Sequence, residues 1–140
     1  MSPELASGDM NLQRMLATLE LILADDDYVF CVVNEVPGGA TPFATIQELE
    51  GVTLVLPRQQ ADALSLKYNE LFARITLSVH SSLMAVGLTA AVANALSEQN
   101  ISANVIAAYY HDHVLVPKQR SQEALAALEQ LRDQQHTIGA

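Results

Sequence analysis

The sequence predicts an α+β fold, an antiparallel-rich sheet with helices packed on one face, and three observations carry that prediction. Apolar residues recur with two periods: threes and fours in stretches such as Leu12-Met15-Leu16-Leu19, and strict alternation in the second part of Phe72–His80. The periods follow one another as α, β, β, β, α and then β, α, β, β, α. Each half therefore approaches a split β-α-β-β-α-β unit and lacks one strand. Turn signals such as Glu50-Gly51 join neighbouring strands as hairpins. At 140 residues the chain makes one domain or two small ones sharing a core.

Taken in order, residues 1–8 are small and polar and read as a flexible N-terminus. A helix is expected from Asp9, a candidate N-cap, to the run Asp25-Asp26-Asp27. Leu12, Met15, Leu16, Leu19, Ile22 and Leu23 would form its single apolar stripe. Three aspartates oppose the dipole at a helix C-terminus, so that run reads as solvated loop. Tyr28–Asn34 is a strand apolar on both faces. After the loop Pro37-Gly38-Gly39, Phe43–Glu48 and Val52–Leu56 form a hairpin. Pro57 suits the first turn of a short helix ending near Asn69.

Phe72–His80 is a long half-buried strand. Ser82 is placed to cap a helix over Ala85–Gln99, whose core face carries Leu88, Val92, Ala95 and Leu96. Its many alanines favour helix and allow close packing on a sheet. Asn100 suits the left-handed residue past its end. Ile101–Tyr109 and Val114–Val116 are paired strands, and Pro117 closes them. Ser121 opens a last helix with Leu125, Leu128 and Leu131 inward, and 135–140 is a tail. The domain reading is an incomplete N-terminal module over 9–69 and a second module over 70–134, itself one strand short. Either Phe72–His80 serves both halves or a partner chain completes each sheet. Unpaired strand edges invite a homodimer.

Composition narrows the function. A net charge of -9 argues against nucleic acid and against anionic membranes, since both need a basic face. Cys31 is the only cysteine and lies in the apolar run Tyr28–Val33, where a buried hydrophobe is expected rather than a reactive thiol. The N-terminus lacks the pattern of a signal peptide, and no apolar run approaches a membrane span, so a cytoplasmic protein is expected.

The candidate site follows from topology. In a right-handed β-α-β crossover the two strands run parallel and end where the connecting helix begins. That edge gathers His80, Ser81, Ser82, Met84, Val86, Gly87, Leu88 and Thr89 from one side, and Tyr109, Tyr110, His111, Asp112 and His113 from the other. Gly87 removes a side chain where the amides of a first helical turn are unpaired, and such amides attract a carboxylate. Asp112 opposite them suits an amine or guanidinium, so the edge has the polarity of a zwitterion's partner. Gly87 also serves close helix packing, and Asp112 also serves a turn. Tyr109 and Tyr110 should point to opposite faces of a strand. His111 and His113 share a face, yet no metal-site pattern accompanies them, and no nucleophile elbow accompanies Ser81 or Ser82. No metal, no cofactor and no catalytic residue is assigned.

These residues carry a resemblance. His80–Val92 resembles the first strand and helix of ACT domains, Asn100–Pro117 continues it through the next two strands, and Glu123–Leu128 is similar to the last helix. Asp112-His113-Val114-Leu115-Val116 is similar to the D-[YF]-[IL]-L-V pattern of the ACT subtype of aspartate kinases and of the animal arginine sensor CASTOR. The first half, with Gly51–Pro57, resembles the module that accompanies it in small stand-alone bacterial ACT proteins of unassigned function. The resemblance implies a ferredoxin-like ACT pair, commonly dimeric, that binds an amino acid at an interface between modules. It places ligand residues on Met84, Val86, Gly87, Leu88, Tyr109, Tyr110, His111 and Asp112. The subtype often has Ser-Thr where this chain has Ala108-Tyr109, and a small residue where it has His111. Two readings result: a non-catalytic amino-acid sensor whose regulated target is a separate protein, or an interaction module whose pocket His111 closes.

Overall fold

The structure, a computed structural model, describes residues 11–79 and 86–139. Its elements are α1 (Leu12–Ala17), β1 (Glu20–Leu23), β2 (Tyr28–Val33), β3 (Ala44–Gln47), β4 (Val52–Pro57), α2 (Arg58–Ala63), β5 (Phe72–Ser78), α3 (Leu88–Glu98), β6 (Asn104–Ala107), β7 (Asp112–Pro117), a 3₁₀ turn (Lys118–Arg120) and α4 (Ser121–Gly139). The strands form one sheet in the order β3-β4-β2-β5-β7-β6, with β1 also paired to β5. Every pairing is antiparallel. The expected α+β architecture, with its antiparallel-rich sheet and helices on one face, is what the chain adopts.

The first element differs from expectation. The helix stops at Ala17, and Glu20–Leu23 is a strand. Leu19 fits both periods. It completes the helical stripe of Leu12, Met15 and Leu16, and it also begins the alternation Leu19-Leu21-Leu23. Tertiary pairing decides, because β5 offers β1 a four-residue ladder from Glu20↔Ser78 to Leu23↔Ile75. Thr18 closes the helix by donating its hydroxyl to the Arg14 carbonyl at 2.9 Å. At the other end the side chain of Asn11, not Asp9, accepts from the Arg14 amide at 2.9 Å. Asp9 lies outside the described residues.

β1 adds a strand to the first half, but it follows α1, whereas the strand that half was expected to lack is its first, ahead of the helix. β5 serves both halves. It pairs along one side with β7, and along the other with β1 and, at Phe72↔Tyr28, with β2. Between these two contacts residues 24–27 lie opposite only Ala73 and Arg74. Asp25 and Asp26 are thus the solvated excess of a bulge-like bend, which turns the chain from one pairing to the next, whereas Asp27 is half-buried with its carboxylate 2.6 Å from Lys118 Nζ.

Smaller differences have local causes. α2 ends at Ala63 rather than near Asn69, where Ser65 adopts φ +55. α3 begins at Leu88 rather than Ala85, and Ser82 lies outside the described residues. It ends as expected: Asn100 takes φ +60, its amide donates to the Ser97 carbonyl, and the Ile101 amide donates to Leu96. That pair of bonds is a Schellman ending. β6 is shorter than expected and β7 longer, and α4 runs through the anticipated tail to Gly139.

The sheet separates apolar clusters. Leu16, Ile75, Leu77, Val92, Val114 and Leu128 pack under α1, α3 and α4. Val29, Cys31, Leu54 and Leu56 pack with Ala61 of α2. The opposite face is concave and carries Tyr28, Val55 and Leu115. Curling brings Phe43, next to β3, within 4.7 Å of His113 on β7, ring centre to ring centre. The Arg74 guanidinium lies over the Phe43 ring at 4.3 Å and near the Tyr28 ring at 5.0 Å. Cations favour aromatic faces, so this arginine is held inside an apolar cluster.

Candidate functional site

β5 and β6 are each antiparallel to β7, which lies between them, so they run the same way and end at one edge of the sheet. α3 connects them and begins at that edge. The helix-side face there carries the cross-strand row Leu21–Leu77–Asp112–Ala107. Asp112 therefore sits among apolar neighbours, on the same face as the core residues Val114 and Val116. Burial pushes its carboxyl pKa above the ordinary carboxylate value.

Above this row stands the start of α3. Gly87 is its N-cap, with φ +104. The Ala91 amide donates to the Gly87 carbonyl at 2.9 Å, which leaves the amides of Leu88, Thr89 and Ala90 without acceptors inside the helix. Two constraints select glycine here. The backbone is left-handed, and a Cβ would stand 3.0 Å from Leu12 Cδ2 of α1. The close-packing role expected of Gly87 is thus present, against α1 rather than against the sheet.

Between helix start and row lies a cavity of about 570 Å³. Of the residues singled out from sequence, Val86, Gly87, Leu88, Tyr109, Tyr110, His111 and Asp112 line it, as does Thr89. Met84, with His80, Ser81 and Ser82, lies outside the described residues. His111 is exposed at the rim and does not fill the space between Gly87 and Asp112. Tyr109 and Tyr110 do not alternate across a strand as expected. They form the turn of the β6–β7 hairpin, closed by the Ala108 amide donating to the His111 carbonyl at 3.1 Å. Both are exposed, at 77% and 81%, with ring centres 5.1 Å apart.

His113 belongs elsewhere. It points to the concave face, where Thr76 Oγ1 lies 3.0 Å from its Nδ1. Burial, with the nearby Arg74 and His111, lowers its pKa to about 4. The rings of His111 and His113 are 6.3 Å apart, and among the described residues no three His, Cys, Asp or Glu side chains gather as a metal site. Burial raises the Cys31 thiol pKa, which leaves it unreactive at neutral pH.

Sequence reasoning missed the rest of the lining: Leu77, Val79, Ala90, Ala93, Ala107 and Ala108. The available signal was the pairing of small residues, Ala90 and Ala93 one turn apart on the helix and Ala107-Ala108 at the strand end. Read as packing residues, they instead leave room.

Two family models described as ACT domain match the chain, one over residues 7–73 and the other over 74–130. Among solved structures, a Vibrio cholerae protein of unknown function, described as a possible transport protein, is 47% identical. That match covers 90% of this chain and 99% of the other, with a TM-score of 0.79. An Agrobacterium tumefaciens protein shares the fold at 14% identity and a TM-score of 0.68, over 81% of this chain and 89% of its own. The ligand-free regulatory subunit of aspartate kinase from Thermus thermophilus shares it at 12% identity and a TM-score of 0.61, over 79% and 95%. No curated protein sequence matches the chain.

Proposed function

The chain belongs to the ACT-domain family, two ACT modules in tandem, and on that premise we propose that it is a non-catalytic regulatory module which binds an amino acid in the cavity between α3 and β7. The observation that supports the reading is that the first turn of α3, whose amides have no acceptor inside the helix, and a half-buried Asp112 line one cavity of about 570 Å³. A free amino acid presents a carboxylate and an ammonium a few ångströms apart. Its carboxylate meets the amides of Leu88, Thr89 and Ala90, where the helix dipole favours negative charge. Its ammonium meets Asp112 through a charge-assisted hydrogen bond. The closed-pocket alternative required His111 to fill this space, and its exposure speaks against that.

The proposal extends to assembly and setting. β6 and β3 end the main run of the sheet, β1 is a third outer strand paired with β5 alone among the described residues, and β6 ends at the cavity. Val86, Tyr109 and Tyr110, large apolar or aromatic side chains exposed at the cavity rim, suit a covered surface. A homodimer joined beside β6 would place the ligand at an interface between modules. We assign the protein to the cytoplasm, with a separate protein as the target it regulates. Among the described residues no helix is long and apolar enough to cross a membrane.

The test is a thermal-shift screen of the twenty amino acids. A ligand at ~100 times its dissociation constant stabilises by about 2.7 kcal/mol. At least one amino acid should raise the melting temperature by several degrees. Absence of any shift up to millimolar concentrations would contradict the reading.

A further inference from the structure

Resting on the amino-acid reading above, we infer that the ligand carries an uncharged, apolar side chain of aliphatic or aromatic type, laid along the flank of α3 above β6. The head group uses the helix amides and Asp112. Inside the rim formed by Tyr109, Tyr110 and His111, what remains of the described lining is hydrocarbon apart from Thr89: Leu77 and Val79 at the end of β5, Ala90 and Ala93 on the helix flank, Ala107 and Ala108 at the end of β6. Among the described lining residues Asp112 is the only carboxylate, none is Lys or Arg, and the one imidazole, His111, is exposed at the rim.

That inventory discriminates between side-chain classes. A dicarboxylic amino acid would bring a second anion with no Lys or Arg of the described lining to meet it. A dibasic one would bring a second cation while Asp112 is already engaged by the α-ammonium. Burying an unpaired charge is strongly unfavourable. An apolar side chain meets no such obstacle and gains from each methylene it removes from water. The alanines set the available width. Ala90 and Ala93 lie on the cavity side of α3, whereas Val92 and Leu96 of the same helix fill the core. The helix is thus large on one side and small on the other, and the small side faces the empty space.

The experiment is calorimetric titration of the full chain with size-matched ligands: methionine against glutamate and lysine, and leucine against aspartate and asparagine. Methionine or leucine should bind at least tenfold tighter than its charged or amide counterparts. Tighter binding of a charged or amide member would overturn this inference and leave the amino-acid reading standing. No binding by any amino acid would overturn both. Ala93→Leu, a change well tolerated in a helix, should weaken the preferred large ligand tenfold or more by filling the flank. Ala107→Leu should do the same from the strand side, which covers the case in which the helix variant does not fold. Wild-type affinity in a folded variant of both kinds would overturn the placement of the side chain.

Discussion

Asp112 and His113 are adjacent in sequence and serve opposite faces of the sheet, and their titrations have opposite consequences. The folded-state pKa of His113 is about 4, below its ordinary value of 6.5. Between those values the unfolded chain binds more protons, so stability contributed by neutral His113 is full above pH 6.5 and is lost as pH falls towards 4. The loss should not exceed about 3 kcal/mol, and urea titrations of wild type and His113→Gln across pH 4–7 should show a flatter profile in the variant. Asp112 has a raised pKa, so its contribution is favourable only below the ordinary carboxylate range and is lost as pH rises. Ligand-free Asp112→Asn should therefore be at least as stable as wild type at pH 7, as is common where a site is held at the expense of stability. Gly87 gives a third prediction: Gly87→Ala should cost about 1–3 kcal/mol for its left-handed backbone. Adding Leu12→Ala should recover only the part due to the 3.0 Å approach. Gly87 and Asp112 were legible from sequence because a glycine at a helix start and an acid at a strand turn each mark a definite chemistry. The lining alanines were not, because a small side chain leaves the same mark whether it packs closely or borders a void.

At the scale of elements, β1 is the instructive case. Six of the apolar residues from Leu12 to Leu23 satisfy a helical stripe, and nothing local breaks it before the aspartates. The outcome rests on the ladder to β5, more than fifty residues away, which no single window contains. Helix and strand make different predictions for Ile22. A helical stripe would bury it with Leu19 and Leu23, whereas the strand leaves it 57% exposed and turns Leu21 inward. Ile22→Ala should then change stability by no more than about 0.5–1 kcal/mol. Leu21→Ala should cost about 2 kcal/mol, and chemical denaturation of the two variants separates the alternatives. α3 lay at the other extreme. Its alanines, its core stripe and Asn100 all pointed one way, and its end matched expectation to within a residue.

For the whole molecule, the split units merge into one curled sheet with β5 shared between them, so the modules are not independent bodies. The strand order in sequence foretold the architecture and the edge at which chain ends converge, since crossover handedness fixes that much. It did not foretell the curl, which depends on the bend at residues 24–27 and on the aromatic cluster of Phe43, Tyr28 and Arg74. The proposed dimer rests on the exposed rim beside β6, where Val86, Tyr109 and Tyr110 are uncovered. Light scattering at micromolar concentration should give twice the chain mass, and Tyr109→Ser with Tyr110→Ser should reduce it to one. The account as a whole stands on the helix amides and Asp112 lining one cavity. Its most direct test is calorimetric titration of wild type and Asp112→Asn with whichever amino acid raises the melting temperature most. The account predicts a folded variant whose affinity is weaker by about 1.5–3 kcal/mol; equal affinity in the two proteins would contradict it.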